Sequence, residues 1–437
     1  MTNVRLDIRG NGLSAMMLIL FLLGCGLGFY AGHASLGISG PAAATLHVTL
    51  AAPPLTTQGK SLLPPVILGD RALSGDAAAV FFSSVACWMG NGSWQEGAEP
   101  ALYPRNIPND MRANFVTAQY SCAERGYPLS SASINTRWVP DNAPCARQLP
   151  VFLPERMCHA MRGRSLVFIG DSLSVLHFET TLQAMAHGRP VPLSMHNGCP
   201  ENPATNEAAN DSWFLTHTYD FYADIGAKPF SIVYACFNHR LQGYVPSSTP
   251  ADSIPPDPEN AHVWNDGSTH LWYAHVSRLK ALHASTGLVL VVNRGAWASD
   301  DSVVERGMRQ MLQFVREDLP HALLIFRGNT MGHGNCFDYE QRPRKRDEPL
   351  IEPSTNGSIV AHRWDYFPRQ SARVVRPLIE ANFSQRGVYM DIFSAMQQRP
   401  DAHIAPSDCL HYCIPGPADQ WVRWTFGIIH EVDTLSQ

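Results

Sequence analysis

From residue 162 onward, short apolar runs alternate with longer amphipathic stretches. The apolar runs have the length and the branched side chains of buried strands, and they lie at residues 166–169, 191–195, 231–237, 288–292 and 323–326. Between them, apolar side chains recur at helical spacing at residues 175–185, 269–285 and 301–318. Strands that alternate with helices favour a mostly parallel sheet with helices on both faces. The pattern predicts an α/β three-layer sandwich over residues 161–437.

The N-terminus has a different pattern. Residues 13–32 form an uncharged apolar run of about 20 residues, the length of one membrane-spanning helix, and Arg5 and Arg9 precede it. The positive-inside rule then predicts a cytoplasmic tail at residues 1–12, a signal anchor and export of everything that follows. A cleaved signal peptide, which would give a secreted protein, is the alternative.

Two segments separate this predicted anchor from the α/β region. Residues 33–79 are rich in Ala, Pro, Ser and Leu with little charge, which predicts a stem. Residues 80–160 are rich in Cys, Trp and turn residues with weak periodicity. This texture predicts a disulfide-stapled N-terminal subdomain that covers one end of the sheet.

Composition narrows the possible partners. The net charge of −5 gives no basic footprint for nucleic acid. Ten cysteines fit an oxidising compartment; the nine outside the apolar run allow four disulfides and one free thiol, and their spacing leaves the pairing open. The spacing also lacks a zinc signature, so no metal is expected. Glycosylation triplets begin at Asn91, Asn210, Asn356 and Asn382.

The first strand of the α/β region ends abruptly in Gly170-Asp171-Ser172, and a helical pattern follows. A serine at the carboxyl end of a strand and in the first turn of a helix lies in the positive end of the helix dipole. A nucleophile and an oxyanion hole can share the backbone of such a turn. The alternative is an ordinary helix cap, and Asp171 in particular is expected to cap the helix.

A second pattern, Asp408-x-x-His411, lies near the C-terminus between cysteines. A helical turn there would put both side chains on one face. A histidine that is oriented by a carboxylate is what a serine nucleophile needs as its base. Polar residues also follow two later strands, namely Asn293 after residues 288–292, and Arg327 and His333 after residues 323–326.

These motifs occur in the order of the GDSL/SGNH acyl-hydrolase fold. Together with Arg137-Trp138-Val139-Pro140 and the run from Asp408 to Gly416, the sequence resembles the PC-esterase family and its trichome-birefringence-like polysaccharide O-acetyltransferases, over about residues 82–428. Three departures leave acceptor specificity open: Tyr412 replaces the usual Trp, Arg294 replaces the Thr of the usual Asn-Thr-Gly, and residues 331–333 replace a Ser-Pro-x-His stretch.

The resemblance implies a role for each matching residue. Ser172 would be the nucleophile, His411 the base and Asp408 the orienting carboxylate. The oxyanion hole would use the Ser172 N–H, the Asn293 amide and Gly198. Their place at a strand end, rather than the resemblance, makes Arg327 and His333 candidates for substrate binding, with a structural hydrogen-bonding role left open. Trp297, which lies near these motifs, is a candidate for stacking on a sugar, with a core role left open.

The resemblance also implies a function. We expect an O-acetyltransferase that moves acetyl through a serine acyl-enzyme to a glycan hydroxyl, as a single-pass type II protein of the Golgi membrane. No bound cofactor is expected; the acetyl donor would be acetyl-CoA or a membrane-relayed acetyl group. The alternatives are an acetylesterase with the same triad and a non-catalytic glycan-binding protein.

Overall fold

The structure is a computed structural model that describes residues 3–7, 45–49, 66–96, 102, 120, 122, 129–186, 214–219, 226–235, 269–294, 300–339, 342–349, 364, 366–382, 386–404 and 408–436. The chain divides into two compact units, Met1–Leu62 and Leu63–Gln437. In the first unit, Asn3–Asp7 (β1) pairs antiparallel with Thr45–Thr49 (β2). The predicted anchor at residues 13–32 lies outside the described residues, among which no helix has the length and apolar character needed to cross a membrane.

The second unit contains the predicted α/β region. Its helices and strands follow in chain order: β3 (Val66–Leu68), β4 (Arg71–Leu73), α1 (Gly75–Trp88), β5 (Gly92–Glu96), α2 (Ser131–Ile134), β6 (Thr136–Pro140), α3 (Pro154–Met161), β7 (Ser165–Ile169), α4 (Ser172–Ala186), β8 (Phe214–Tyr219), β9 (Phe230–Ala235), α5 (Thr269–Thr286), β10 (Leu288–Val292), α6 (Asp301–Asp318), β11 (Leu323–Arg327), α7 (Phe367–Gln370), α8 (Arg376–Asn382), β12 (Gly387–Met390), α9 (Phe393–Met396), β13 (His403–Ile404), β14 (Asp408–Tyr412) and α10 (Ala418–Leu435).

A central sheet organises this unit. Within the described part of the chain it has six strands in the order β12-β11-β10-β7-β9-β8. Five run parallel, and β8 at one edge pairs antiparallel with β9. Every side chain of β7, β10 and β11 is buried, which explains why these strands are continuously apolar in sequence. The predicted α/β fold with a mostly parallel sheet is confirmed.

The C-terminal helix α10 completes the core. It packs against α4, α3 and α1, and it carries the fully buried Trp421 and Trp424. Trp421 is therefore a core residue. Because α4 begins at Ser172, the packing of α10 against α4 holds the helix that carries this residue.

The cysteine- and tryptophan-rich segment belongs to the same compact unit, where β5 contacts α9 and α1 contacts α10. Strands β5 and β6 form an antiparallel pair, and Cys87–Cys145 ties α1 to the segment after β6. The indole N–H of Trp94 donates to the Ala395 carbonyl at 2.8 Å. The predicted boundary between stem and subdomain, at residue 79, falls inside α1. Leu68 and Leu73, which lie in the predicted stem, are fully buried and belong to the core.

Candidate active site

The turn between β7 and α4 is the first component of the site. Gly170 has a φ of +151°, and a Cβ there would lie 2.6 Å from the Asn293 carbonyl oxygen. Glycine is therefore required where the strand turns against its neighbour. The Asp171 carboxylate accepts the Leu173 N–H at 2.9 Å, as expected of a capping residue. Ser172 is the first residue of α4, so its backbone N–H has no helical acceptor.

Three side chains from distant parts of the sequence meet at this turn. The His411 Nε2 lies 2.6 Å from the Ser172 Oγ, and the His411 Nδ1 lies 2.7 Å from the Asp408 Oδ2. The side chain of His411 is 14% exposed and that of Asp408 is 30% exposed. Solvent and substrate therefore have access to this line of hydrogen bonds.

Asp408 and His411 come together in a way that the sequence did not predict. They lie on strand β14 rather than on a helical turn, so the predicted helical turn is wrong. The Asp408 Oδ1 accepts the N–H groups of Leu410 and His411, both at 3.0 Å, so the carboxylate is held by the backbone of its own strand. Burial would raise the pKa of Asp408, but the hydrogen bonds to the His411 side chain and to these N–H groups hold it below its ordinary value.

Two disulfides fix β14 against the rest of the fold. Cys409 pairs with Cys336 and Cys413 pairs with Cys122. The second disulfide brings in Tyr120, whose ring centroid lies 5.9 Å from that of His411 and whose hydroxyl donates to the Ser172 carbonyl at 3.3 Å. Sequence reasoning missed Tyr120; its closeness to Cys122 was the available signal. Among the described cysteines, Cys158 is free and buried.

Asn293 follows β10 and lies next to the turn at Gly170, but its side-chain amide makes other hydrogen bonds than the predicted oxyanion-hole contact. The Nδ2 donates to the Arg327 carbonyl at 3.0 Å and to the Asn329 Oδ1 at 2.6 Å. Both N–H donors are thus engaged, while the buried Oδ1 has no hydrogen-bond partner among the described residues. An oxyanion-hole role would require one of these hydrogen bonds to be exchanged.

The other predicted substrate residues lie elsewhere. Arg327 is fully buried and its guanidinium lies 4.6 Å from the Trp421 ring; burial lowers its pKa to about 10, and the nearby Asp171 opposes this shift. His333 is 1% exposed. A contact between substrate and either side chain does not fit this burial, which favours the structural alternative. Gly198 and Trp297 lie outside the described residues.

The buried His333 predicts a loss of stability in acid. Burial lowers its pKa to about 4, whereas an unfolded histidine titrates near pH 6.5. Between these values the unfolded state binds more protons, so stability falls as the pH decreases, by up to about 3 kcal/mol. We expect denaturant unfolding at pH 7 and pH 4.5 to reveal this fall. His403 and His177 are also buried with lowered pKa values and add to the fall in the same direction. In His333→Gln, which cannot titrate at this position, the fall should be smaller than in the wild type by up to the same amount; an equal fall would contradict the assignment.

Together, the fold and the site define an α/β protein of the SGNH-like type, with serine, histidine and aspartate hydrogen-bonded at the carboxyl edge of its sheet. Residues 149–425 match the family model described as PC-Esterase, a GDSL/SGNH-like acyl-esterase family found in Pmr5 and Cas1p. The chain belongs to this family.

Several plant proteins are similar over most of the chain. Protein trichome birefringence-like 3 of Arabidopsis thaliana is 23% identical over 78% of this chain and 79% of its own length. Xyloglucan O-acetyltransferase 3 of Populus trichocarpa is 21% identical over 77% of this chain and 83% of its own. Probable xylan O-acetyltransferase 9 of Oryza sativa subsp. japonica is 22% identical over 90% and 86%, respectively. Family and relatives together support an enzyme of the acyltransferase and esterase class.

Proposed function

We propose that this protein is an O-acetyltransferase that moves an acetyl group through Ser172 to a polysaccharide hydroxyl. The observation that carries the proposal is the hydrogen-bonded line from the Ser172 Oγ through His411 to Asp408, at the carboxyl edge of the sheet. The names of the relatives support the acceptor class, since two of those reported above are named as a xyloglucan O-acetyltransferase and a probable xylan O-acetyltransferase.

The first half-reaction makes the acyl-enzyme. His411 takes the Ser172 hydroxyl proton on Nε2 as the Oγ attacks the acetyl carbonyl of the donor. Asp408 keeps the proton on Nδ1 and stabilises the imidazolium. The tetrahedral intermediate then collapses, the donor's leaving group departs with the proton from Nε2, and an ester bond joins acetyl to Ser172.

The second half-reaction repeats these steps with a sugar hydroxyl. His411 removes the hydroxyl proton, the sugar oxygen attacks the acetyl-serine carbonyl, and the Oγ leaves with the proton returned by His411. In both halves the Ser172 N–H, at the positive end of α4, is suited to bind the oxyanion. Asn293 and Gly198 are proposed as further donors, the first after an exchange of its present hydrogen bonds.

An acetylesterase with the same triad is the second candidate. It is favoured by the description of the family as acyl-esterases. The two functions differ only in whether water or a sugar hydroxyl reaches the acetyl-serine. The esterase hypothesis therefore predicts release of free acetate at the same serine.

The setting of the reaction belongs to the same proposal. We place the enzyme in the Golgi lumen on a single-pass type II anchor, with an acetyl donor such as acetyl-CoA or a membrane-relayed acetyl group. The disulfides of the described chain, Cys87–Cys145, Cys122–Cys413 and Cys336–Cys409, support an oxidising compartment.

The full chain, incubated with labelled acetyl donor and either xylan or xyloglucan, tests the proposal. The expected result is label on the polysaccharide that mild base removes, as an ester requires. Release of acetate from acetylated polymer without transfer would identify the esterase. Binding of polysaccharide with neither reaction would contradict both and leave the non-catalytic glycan-binding protein.

A further inference from the structure

Two buried histidines connect the backbone of His411 to the loop that follows α9. The His403 Nδ1 lies 3.0 Å from the His411 carbonyl oxygen. The His403 Nε2 lies 2.6 Å from the His333 Nδ1, and the His333 Nε2 lies 3.2 Å from the Gln397 carbonyl oxygen. His403 is 3% exposed and His333 is 1% exposed. The pair forms a continuous path of three contacts that ends on the candidate base.

The carbonyl of His411 lies in an irregular part of its strand pair. His403 is opposite Tyr412 and Ile404 is opposite Asp408, so the register shifts between these two positions and residues 409–411 have no opposing residue on β13. An extra stretch of this kind disrupts the ladder and leaves backbone groups to find other partners. The His403 side chain offers the His411 carbonyl such a partner.

Counting protons determines the direction of the three contacts. Both end oxygens are carbonyls and can only accept, so a full set of three hydrogen bonds needs three N–H groups. Two neutral imidazoles carry two. The His333 Nδ1 and the His403 Nε2 are only 2.6 Å apart, so two lone pairs facing each other there would repel strongly. One of these two nitrogens must therefore carry a proton and donate it to the other. The missing bond therefore falls at one of the two ends.

The distances favour a missing bond at Gln397, where the contact is the longest of the three at 3.2 Å. In that arrangement the His333 Nδ1–H donates to the His403 Nε2, and the His403 Nδ1–H donates to the His411 carbonyl. Burial lowers the pKa of both histidines, which supports the neutral pair. The charged groups nearest to it are Asp401 and Arg344 beside His333, and Asp408 and His411 beside His403.

The face of the His403 ring is also in contact, in addition to its two nitrogens. It stacks on Tyr412 with ring centroids 4.4 Å apart and planes 19° apart. The Tyr412 hydroxyl lies 2.7 Å from the Thr330 Oγ1. A donor that is fixed by stacking on one face and by a hydrogen bond at its far nitrogen has little freedom to swing. It can therefore define where the His411 backbone lies.

We propose that His403 is a positioning residue for His411, holding its backbone carbonyl through Nδ1–H, and that His333 selects the His403 tautomer that makes this possible. The inference rests on the proposed function, in which His411 is the base. In this account two groups position His411, and each acts on a different part of the residue. Asp408 orients the imidazole, and the histidine pair fixes the backbone from which it projects.

Substitutions at His403 separate positioning from simple packing. His403→Asn puts an amide N–H at the place of Nδ1 and keeps the donor. His403→Phe keeps a ring to stack on Tyr412 and removes the donor. His403→Gln keeps a polar group in the buried space but directs it towards His333. His333→Leu removes the N–H that selects the tautomer.

The rate at which a fluorophosphonate probe labels Ser172 in the full chain measures activation of the nucleophile without knowledge of the acceptor. We expect His403→Phe and His403→Gln to lower this rate by about 10- to 100-fold, since small misplacements of a catalytic group cost this much. His333→Leu should lower it in the same direction, and His403→Asn should stay within about threefold of the wild type. With p-nitrophenyl acetate, kcat should fall while KM stays unchanged.

The outcomes distinguish this inference from the proposed function. If the wild type is labelled no faster than Ser172→Ala, the proposed function fails, and the inference fails with it. If the wild type is labelled and all His403 variants react at its rate, only the inference is overturned. Variants that lower the thermal midpoint but label normally below it would indicate a merely structural pair and would also overturn it.

Discussion

Ser172→Ala is expected to lower acetyl transfer by about 10⁶-fold, to the level supported by binding alone. The reason is that an alanine side chain at this position has no atom to carry the acetyl group, so both half-reactions are lost together. The His411 Nε2, now 2.6 Å from the Ser172 Oγ, would have no proton to accept. The measurement is the initial rate of label transfer to xylan or xyloglucan, compared at equal concentrations of folded protein.

Ser174→Ala is the matched control. Ser174 lies two residues further along the same helix, is buried, and makes a long hydrogen bond of 3.5 Å to the Ile169 carbonyl. Its loss removes a hydroxyl from the same turn without touching His411. We expect activity near that of the wild type. Transfer that persisted in Ser172→Ala would remove the nucleophile from the account.

Asp408→Asn is expected to lower the transfer rate by about 10³- to 10⁴-fold. The asparagine Oδ1 can still accept the N–H groups of Leu410 and His411, so the local backbone structure of β14 should survive. Its NH₂ group, however, would face the His411 Nδ1 and favour the tautomer that carries the proton on Nε2. A protonated Nε2 cannot accept the Ser172 proton, so kcat falls while the folded structure is kept.

Asp391→Asn makes the same chemical change at another strand end. Asp391 follows β12 and accepts the Phe393 N–H at 3.1 Å, and an asparagine can keep that bond. Near-normal activity is expected. If Asp408→Asn and Asp391→Asn lost the same small factor, Asp408 would be a structural residue and the orientation of His411 would need another source.

The sequence predicted the parts of the fold whose periodicity is strong. The buried strands β10 and β11 and the helix Asp301–Asp318 were predicted to within a residue, because continuous apolar runs and helical spacing leave few alternatives. Strand β12 has only four residues, and β8 has two apolar residues followed by three polar ones and a tyrosine, so neither was recognised. Short or half-buried strands depend on their neighbours for stability, and local patterns do not contain that information.

The candidate site also contains residues that the sequence pattern reveals and residues that it does not. Ser172, Asp408 and His411 stand in short motifs that the sequence makes visible. Tyr120 and His403 do not: Tyr120 reaches the site through a disulfide between residues far apart in the chain, and His403 through the pairing of two short strands that the sequence pattern does not reveal. His333 was recognised by its place after a strand, but its burial against His403 is a property of tertiary packing.

The acyl-enzyme itself tests the central claim most directly. The full chain would be mixed with acetyl donor in the absence of polysaccharide, quenched in acid, digested and examined by mass spectrometry. The account predicts one acetyl group on the peptide that contains Ser172, absent from Ser172→Ala and discharged when xylan or xyloglucan is added before the quench. Acetylated polysaccharide formed at an undiminished rate, with Ser172 never carrying acetyl, would contradict it.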